Sequence, residues 1–215
     1  MRSLFVCLVL LFTLCFSVAA KSESKAAKSI ASPTEVLQQK LNKIDTFTAQ
    51  FKQKVFDQNQ QILQQAQGIL NLKQSQLFRF ETTEPERNVF IGDGKSLWFY
   101  NEPLEQLTIY DAAAEVNRTP FVLLTSTDPE LWANFTVKQQ QQQFTIYAND
   151  PSSQVTELIL RFSGDALSEM QVVDINQQLS VFQFIAVQLN VPLNDSLFQF
   201  TPPEFTEIDD QRSRN

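Results

Sequence analysis

The chain has 215 residues, 43% of them hydrophobic, and a formal net charge of −7 at neutral pH. It has no histidine and four glycines, which excludes a Ser-His-Asp triad, a histidine metal cluster and a glycine-rich phosphate loop. The acidic balance argues against binding to nucleic acid or to anionic membranes in general. This length suits one domain with a substantial core.

The first 20 residues have the pattern of a secretory signal peptide. Met1-Arg2 supplies a positive start, residues 4–18 form an apolar run, and Ala19-Ala20 offers a cleavage site. We expect cleavage after Ala20, because the apolar run is too short for a comfortable membrane span. Both cysteines, Cys7 and Cys15, lie in this segment, so the mature chain is expected to contain no thiol and no disulfide.

A leader and a helix are predicted next. Residues 21–32 are rich in Lys, Ser and Ala, which is typical of a flexible segment. Ser32-Pro33-Thr34-Glu35 has the order of a capping box, with Ser at N-cap, Pro at N1 and Glu at N3. It predicts an amphipathic helix over about 33–46, with three apolar residues at helical spacing, Leu37, Leu41 and Ile44.

The hydrophobic period then changes to two, which predicts antiparallel strands. We expect about ten or eleven of them, at residues 47–56, 62–72, 77–81, 88–91, 97–100, 106–110, 135–138, 144–148, 155–162, 166–174 and 179–189. Short helices are expected to start at Thr119-Pro120 and Asp128-Pro129. Gln139–Gln143 is predicted to be a solvated hairpin loop and Asp209–Arg212 a polar tail. An open sheet of this size tends to curl or close, so one strongly curved sheet is expected.

The hairpin around Asp93-Gly94 is the most informative stretch. Glycine accepts a positive φ, which favours a turn there. The strand that leaves the turn, Leu97-Trp98-Phe99-Tyr100, places large apolar groups on both faces. It is either a central strand covered on both sides or a wall between a core and an apolar cavity. In the strand expected at residues 62–72, Gly68 indicates a bulge or a close backbone approach.

Three kinds of function remain open on residue chemistry alone. The curved sheet can enclose a lipid-sized apolar pocket, or it can have a filled core and serve as another interaction module. A carboxylate-pair hydrolase is also compatible with the composition, using for example Glu81 with Glu84 or Asp93. Acidic residues at turns and strand ends are usually solvated, which counts against the enzyme.

Several stretches together resemble a known family. Asp93–Asn101 followed by Glu105-Gln106 resembles the DGK-x-LW-x-Y-N…EQ segment of the periplasmic outer-membrane lipoprotein carriers, the LolA family. Further matches follow the family order over about residues 33–212: Phe51-Lys52-Gln53-Lys54, Thr119-Pro120-Phe121, Phe200-Thr201-Pro202-Pro203 and Asp209-Asp210-Gln211-Arg212. The related receptor LolB would need an acylated N-terminal cysteine, which the expected mature chain lacks.

The resemblance implies a fold and a function. The expected fold is mainly β with helices: an unclosed, strongly curved antiparallel β-barrel with a helical lid over an apolar cavity, forming one domain over 33–215. The implied function is a non-enzymatic, cofactor-free periplasmic carrier that acts as a monomer. It would take acylated lipoproteins from the inner-membrane transporter LolCDE and deliver them to LolB.

The resemblance and the amphipathic pattern together suggest site residues. The residues expected to line the cavity and bind cargo are Leu41, Ile44, Phe51, Phe78, Phe80, Phe121, Val122 and Leu124. Phe78 matches an apolar family position near the transfer site.

One departure concerns the Arg-Pro pair of the family, in which the arginine resembles a latch on lid carbonyls. Gln74-Ser75 stands at those positions, so Gln74 is expected to be a weaker, uncharged latch.

Overall fold

The structure is a computed structural model that describes residues 31–112, 115 and 120–212. The expected signal peptide, most of the leader and Thr119 lie outside the described residues. The helices are α1 (Pro33–Leu41), α2 (Pro120–Thr125) and α3 (Pro129–Trp132), with a 3-10 helix at Asp195–Phe198. The strands are β1 (Thr46–Phe56), β2 (Ile62–Lys73), β3 (Leu77–Glu84), β4 (Asn88–Asp93), β5 (Ser96–Asn101), β6 (Gln106–Asp111), β7 (Phe135–Gln140), β8 (Gln143–Ala148), β9 (Val155–Ser163), β10 (Ala166–Asp174), β11 (Leu179–Leu189) and β12 (Glu207–Asp210).

All twelve strands form one sheet in the order β12-β6-β5-β4-β3-β2-β1-β11-β10-β9-β8-β7. The ladders are antiparallel except that between β12 and β6, which is parallel. The fold is therefore the expected mainly β, unclosed and curved sheet, with one strand more than the pattern indicated. The polar tail expected at Asp209–Arg212 was wrong in part, because residues up to Asp210 form β12.

The helix α1 begins as predicted but ends earlier. Ser32 Oγ accepts from the Glu35 amide at 3.2 Å and Glu35 Oε2 accepts from the Ser32 amide at 2.7 Å, which completes the capping box. The helix ends at Leu41, five residues before the predicted end. Asn190 Oδ1 accepts from the backbone amide of Asp45 at 2.7 Å, so these residues are drawn towards the sheet before another turn can form.

The glutamine run is mostly strand. Phe135–Gln140 pairs with Gln143–Ala148, so only Gln141 and Gln142 form the turn. Gln141 has a φ of 56°, which allows a two-residue connection. The prediction of a five-residue loop was wrong because the backbone ladder extends into the polar residues.

Apolar side chains pack on both faces of the sheet. The larger cluster occupies the concave face, under α1 and α2, and includes Leu97 of β5. The smaller cluster occupies the convex face, includes Trp98 and Tyr100 of β5, and is covered by the segment 193–200. The strand β5 is thus covered on both faces.

Gly68 marks a close approach, as expected. A Cβ at this position would lie 1.9 Å from the carbonyl oxygen of Glu81 and 2.8 Å from the Phe51 ring. The pairing of β2 with β3 also changes register between Gln67 and Gly68, which is a bulge. The missing side chain makes room for an aromatic ring on the concave face.

Candidate functional site: the concave face and its helices

The residues predicted to line a cavity lie together on the concave face. Six of them are buried in the larger cluster: Leu41, Phe51, Phe78, Phe121, Val122 and Leu124. The other two, Ile44 and Phe80, are partly buried and pack against it. The helices and strands expected to face each other do so, whereas binding of cargo by these residues stays a prediction.

Phenylalanine rings join α2 to the sheet. The Phe121 ring of α2 lies 5.3 Å from Phe78 and 5.2 Å from Phe80 of β3, measured between ring centroids. Phe80 stacks in turn on Phe51 of β1 at 4.5 Å. Phe182 of β11 lies 5.9 Å from both Phe51 and Phe80. The helix therefore inserts a ring into an aromatic layer to which three strands, β3, β1 and β11, contribute.

Phe78 is more deeply buried than its strand position suggested. Its side chain has no solvent exposure. The reason is Gly92 on the neighbouring strand, where a Cβ would lie 2.3 Å from the Phe78 ring. The ring lies on this glycine and under Phe121.

The described residues enclose a small cavity at one end of the concave face. A cavity of about 20 Å³, enough for about one water molecule, lies between the end of α1, the start of β1 and the end of α2. Its lining residues are Leu41, Ile44, Phe47, Leu72, Lys73, Gln74, Leu124, Thr125 and Leu167. A long apolar ligand can reach the aromatic layer only if a helix moves away.

Gln74 lies in the β2–β3 turn and points at the end of α1. Its Nε2 donates to the carbonyl oxygens of Leu41 at 3.2 Å and Ile44 at 3.0 Å. Its backbone amide donates to the carbonyl oxygen of Asp45 at 3.0 Å. Its Oε1 is buried and makes no hydrogen bond within the described part of the chain. The glutamine thus ties α1 with two neutral hydrogen bonds and leaves a buried acceptor unsatisfied.

The same turn also reaches α2. The backbone amide of Gln76 donates to the carbonyl oxygen of Thr125, the last residue of α2, at 3.3 Å. Ser75 and Gln76 both have positive φ, at 74° and 63°. Proline fixes φ near −65°, so a proline at 75 could not adopt this turn. The departure from the Arg-Pro pair therefore involves the backbone as well as the side chain.

Glu81 and Asp93, one of the carboxylate pairs considered for hydrolysis, are not brought together. Glu81 faces Val89 and Asp93 faces Leu77 in the ladder of β3 with β4, which separates them by roughly 13 Å. Glu81 accepts from Arg79 at 2.8 Å and from Arg87 at 2.9 Å. Burial alone would raise the pKa of Glu81, but these hydrogen bonds outweigh it and the pKa is lowered. The carboxylate is thereby kept ionised as part of a structural network.

Sequence reasoning missed several residues of the site. Phe47, Leu72 and Leu167 line the small cavity, and Phe182 belongs to the aromatic layer. The apolar residues on both faces of 179–189 were a usable signal for Phe182.

Within the described ranges, no group of three or more His, Cys, Asp or Glu side chains could hold a metal ion. No helix among the same residues is both long and apolar enough to cross a bilayer.

The sheet is curved and unclosed, and small helices cover its aromatic concave face. This architecture is that of the half-barrel proteins. The family described as "Outer membrane lipoprotein carrier protein LolA" matches residues 42–201, which is more than half of the chain. The chain belongs to this family.

Relatives support the assignment over most of the sequence. A protein of Pseudoalteromonas translucida named outer-membrane lipoprotein carrier protein is 38% identical over 86% of this chain and 91% of its own length. A protein of the same name from Pasteurella multocida is 35% identical over 83% of this chain and 87% of its own length. The crystal structure of a LolA superfamily protein from Nitrosomonas europaea is similar with a TM-score of 0.47 and 10% identity, over 79% of this chain and 99% of that one.

Proposed function

We propose that this chain is a periplasmic carrier that binds the acyl chains of lipoproteins on its concave face. In this proposal it receives cargo from the inner-membrane transporter LolCDE and delivers it to the outer-membrane receptor LolB. Residues 1–20 direct export and are removed. Membership of the lipoprotein carrier family supports the cargo class. The chain carries out no catalytic step.

The aromatic layer beneath α2 is the observation that carries the proposal. Phe51, Phe78 and Phe80 offer a continuous apolar surface on the sheet, and Phe121 covers it from a helix of only six residues. Each buried methylene group is worth about 0.8 kcal/mol. An acyl chain that displaces Phe121 would therefore keep the aromatic surface of the sheet covered after the helix moves away.

The helices α1 and α2 are the proposed lid. Because the aromatic layer is buried and the cavity at the helix ends holds about one water molecule, loading requires an open state in which at least one helix has moved. Gln74 is the proposed latch on α1, and its turn also holds the end of α2. Cargo shifts the population towards the open state only because it binds that state better.

One observation favours a second function. The buried apolar cluster on the concave face is also what an envelope protein with a permanent core and no lipid ligand would have. The two functions differ in whether the helices ever leave the sheet. They are distinguished by what the protein carries when it is isolated from its native compartment.

Purification from the periplasm without detergent, followed by mass spectrometry, tests the proposal. We expect acylated lipoproteins to co-purify with the wild type. Phe78→Glu should lose most of this cargo, because a carboxylate in place of this buried ring is costly and interrupts the apolar surface that acyl chains would contact. Phe205→Glu is the control, since the Phe205 side chain is 92% exposed. Absence of acylated protein from the wild type would support the second function instead.

A further inference from the structure

We propose that Lys40 is a second latch, which holds α1 on the side of the sheet away from Gln74. Gln74 ties the end of α1 to the β2–β3 turn, and Lys40 ties the same end to the β9–β10 turn. Strands β2, β1, β11 and β10 lie between these two turns in the sheet. The inference rests on the proposed function, in which α1 is part of a lid that opens.

The contacts of Lys40 are close and varied. Its Nζ donates to the carbonyl oxygen of Gly164 at 2.6 Å and lies 3.4 Å from Oδ1 of Asp165. It also lies 4.9 Å from the centroid of the Phe162 ring, within the range of a cation–π interaction. The Lys40 side chain is 17% exposed. A lysine on a solvated helix face would have none of these features.

The carbonyl and the ring carry more of this interaction than the carboxylate. Asp165 is 70% exposed at its side chain, and exposed ion pairs contribute little. A charged donor to a carbonyl is stronger than a neutral one. Phe162 itself is buried in the concave-face cluster, so Lys40 joins α1 to the core as well as to the turn.

Gly164 has the conformation that this contact needs. Its φ is 65°, in the region that favours glycine, and nothing lies within 4 Å of where a Cβ would be. The glycine is therefore favoured by the backbone conformation of the turn and not by a lack of space for a side chain. The tight turn that it permits presents its carbonyl oxygen to Lys40.

The helix itself explains why two ties matter. It has nine residues, and only Leu37 and Leu41 are buried. An isolated helix of this length is not stable in water. Its position thus depends on its attachments, and Lys40 supplies the charged interaction that the uncharged Gln74 does not. Loss of Lys40 should let α1 swing away from the β9–β10 turn while Gln74 still holds the other side.

Hydrogen exchange of the cargo-free protein tests the second latch. In Lys40→Met, which keeps the aliphatic stem on Phe162, we expect the α1 amides from Leu37 to Asn42 to exchange roughly tenfold faster, because a charged hydrogen bond is lost. Asp165→Asn should change this rate by less than about twofold. Lys43→Met is the matched control, since Lys43 is an exposed lysine just past the same helix end.

The result is separable from the carrier proposal. Unchanged α1 exchange in Lys40→Met would overturn the second latch, even if the wild type carries lipoproteins. Faster exchange in Lys40→Met alone would support it, even if no lipoprotein co-purifies and the carrier function fails. Equal acceleration in Lys43→Met would also overturn it, because the effect would then reflect helix charge and not the contact with Gly164.

Discussion

Both faces of this sheet carry a covered apolar cluster, the convex one mainly over β4 to β6, but the two covers are attached differently. On the concave face, single side chains reach main-chain carbonyls: Gln74 to the end of α1 and Lys40 to Gly164. On the convex face, the C-terminal segment adds β12 to the sheet through a ladder with β6. A side-chain tie can break alone, whereas a ladder breaks only when several backbone bonds break together.

Further bonds hold the convex cover. Lys73 pairs with Asp195 at the start of the 3-10 helix. Arg212, which follows β12, hydrogen-bonds Asp210 and lies with its guanidinium carbon 5.7 Å from the Trp98 ring centroid. Asp93 Oδ2 accepts from Trp98 Nε1 at 2.8 Å. The Asp93–Trp98 stretch and the Asp209–Arg212 stretch, separate in the sequence, thus form one attachment point. Under the proposed function, the sheet has a fixed cover on its convex side and a cover that opens on its concave side.

The largest loss of stability is expected when the convex cover, the segment 193–200, loses the buried ring of Phe198. Phe198 is 2% exposed and lies in the convex-face cluster. Phe198→Ala should lower the free energy of unfolding by about 3–5 kcal/mol, as measured by urea denaturation. Phe205→Ala, at an exposed phenylalanine nearby in the same segment, should change it little. A small loss in Phe198→Ala would mean that this cover is as loosely attached as the lid.

The matched change on the lid is expected to have a smaller effect. Phe121 is 6% exposed, close to the value for Phe198. Phe121→Ala should lower the free energy of unfolding by only about 1–2 kcal/mol, below the usual range for a buried phenylalanine, because in the proposed function α2 leaves the sheet without unfolding it. Uptake of an apolar fluorescent dye should become faster in the same variant. Equal destabilisation by Phe121→Ala and Phe198→Ala would remove the distinction between the two covers.

Local signals in the sequence predicted much of the sheet. The capping box fixed the start of α1, alternation located eleven strands, and Asp93-Gly94 marked the central turn. These features depend on neighbouring residues only. The strand β12 was missed because Glu207–Asp210 contains one apolar residue and is stabilised by pairing with a distant β6.

The sequence also predicted part of the site, namely which apolar residues share the concave face. The chosen apolar residues gather on one face, because amphipathic patterns report which way a side chain points. The filling of that face depends on where Phe121 inserts, which no spacing in the sequence specifies. Lys40 could not be identified because its partner Gly164 lies 124 residues away. Interactions between distant segments decide both the closure of the lid and the end of α1.

A stronger latch should slow the opening of the proposed lid and so increase its difference from the convex cover. Gln74→Arg places a charged donor near the carbonyl oxygens of Leu41 and Ile44, and removes the buried acceptor that has no hydrogen bond within the described part of the chain. Charged hydrogen bonds exceed neutral ones by about 1 kcal/mol, which corresponds to a several-fold lower open population. Stopped-flow dye uptake should slow accordingly, and the free energy of unfolding in urea should rise by no more than about 1 kcal/mol. Identical uptake and release rates in the wild type and Gln74→Arg would contradict the latch. Lys54→Arg, a lysine-to-arginine change on an outward strand position, controls for added guanidinium.

The smallest expected effect is the pH dependence of the stability that Asp93 contributes on the convex face. Burial alone would raise the pKa of Asp93, but hydrogen bonds from Ser96, Trp98 and Lys95 outweigh it and lower the pKa below the ordinary 3.8. The ionised carboxylate therefore stabilises the fold above pH 3.8, and this contribution is lost as the pH falls through the lower folded-state value. Asp93→Asn should lower the free energy of unfolding by less than about 1 kcal/mol at neutral pH, since solvent screens the site.

That difference between the wild type and Asp93→Asn should be constant at neutral and mildly acidic pH and should shrink below the ordinary Asp pKa of 3.8. Urea denaturation of both proteins across this range measures it. Trp98→Phe keeps an aromatic ring beneath Arg212 but removes the donor to Asp93 Oδ2, so its difference from the wild type should shrink in the same pH range. A difference that stays constant down to the most acidic samples would mean that the charge of Asp93 does not help to attach the convex cover. The ladder of β12 with β6 and the apolar packing of Phe198 would then hold it without that help.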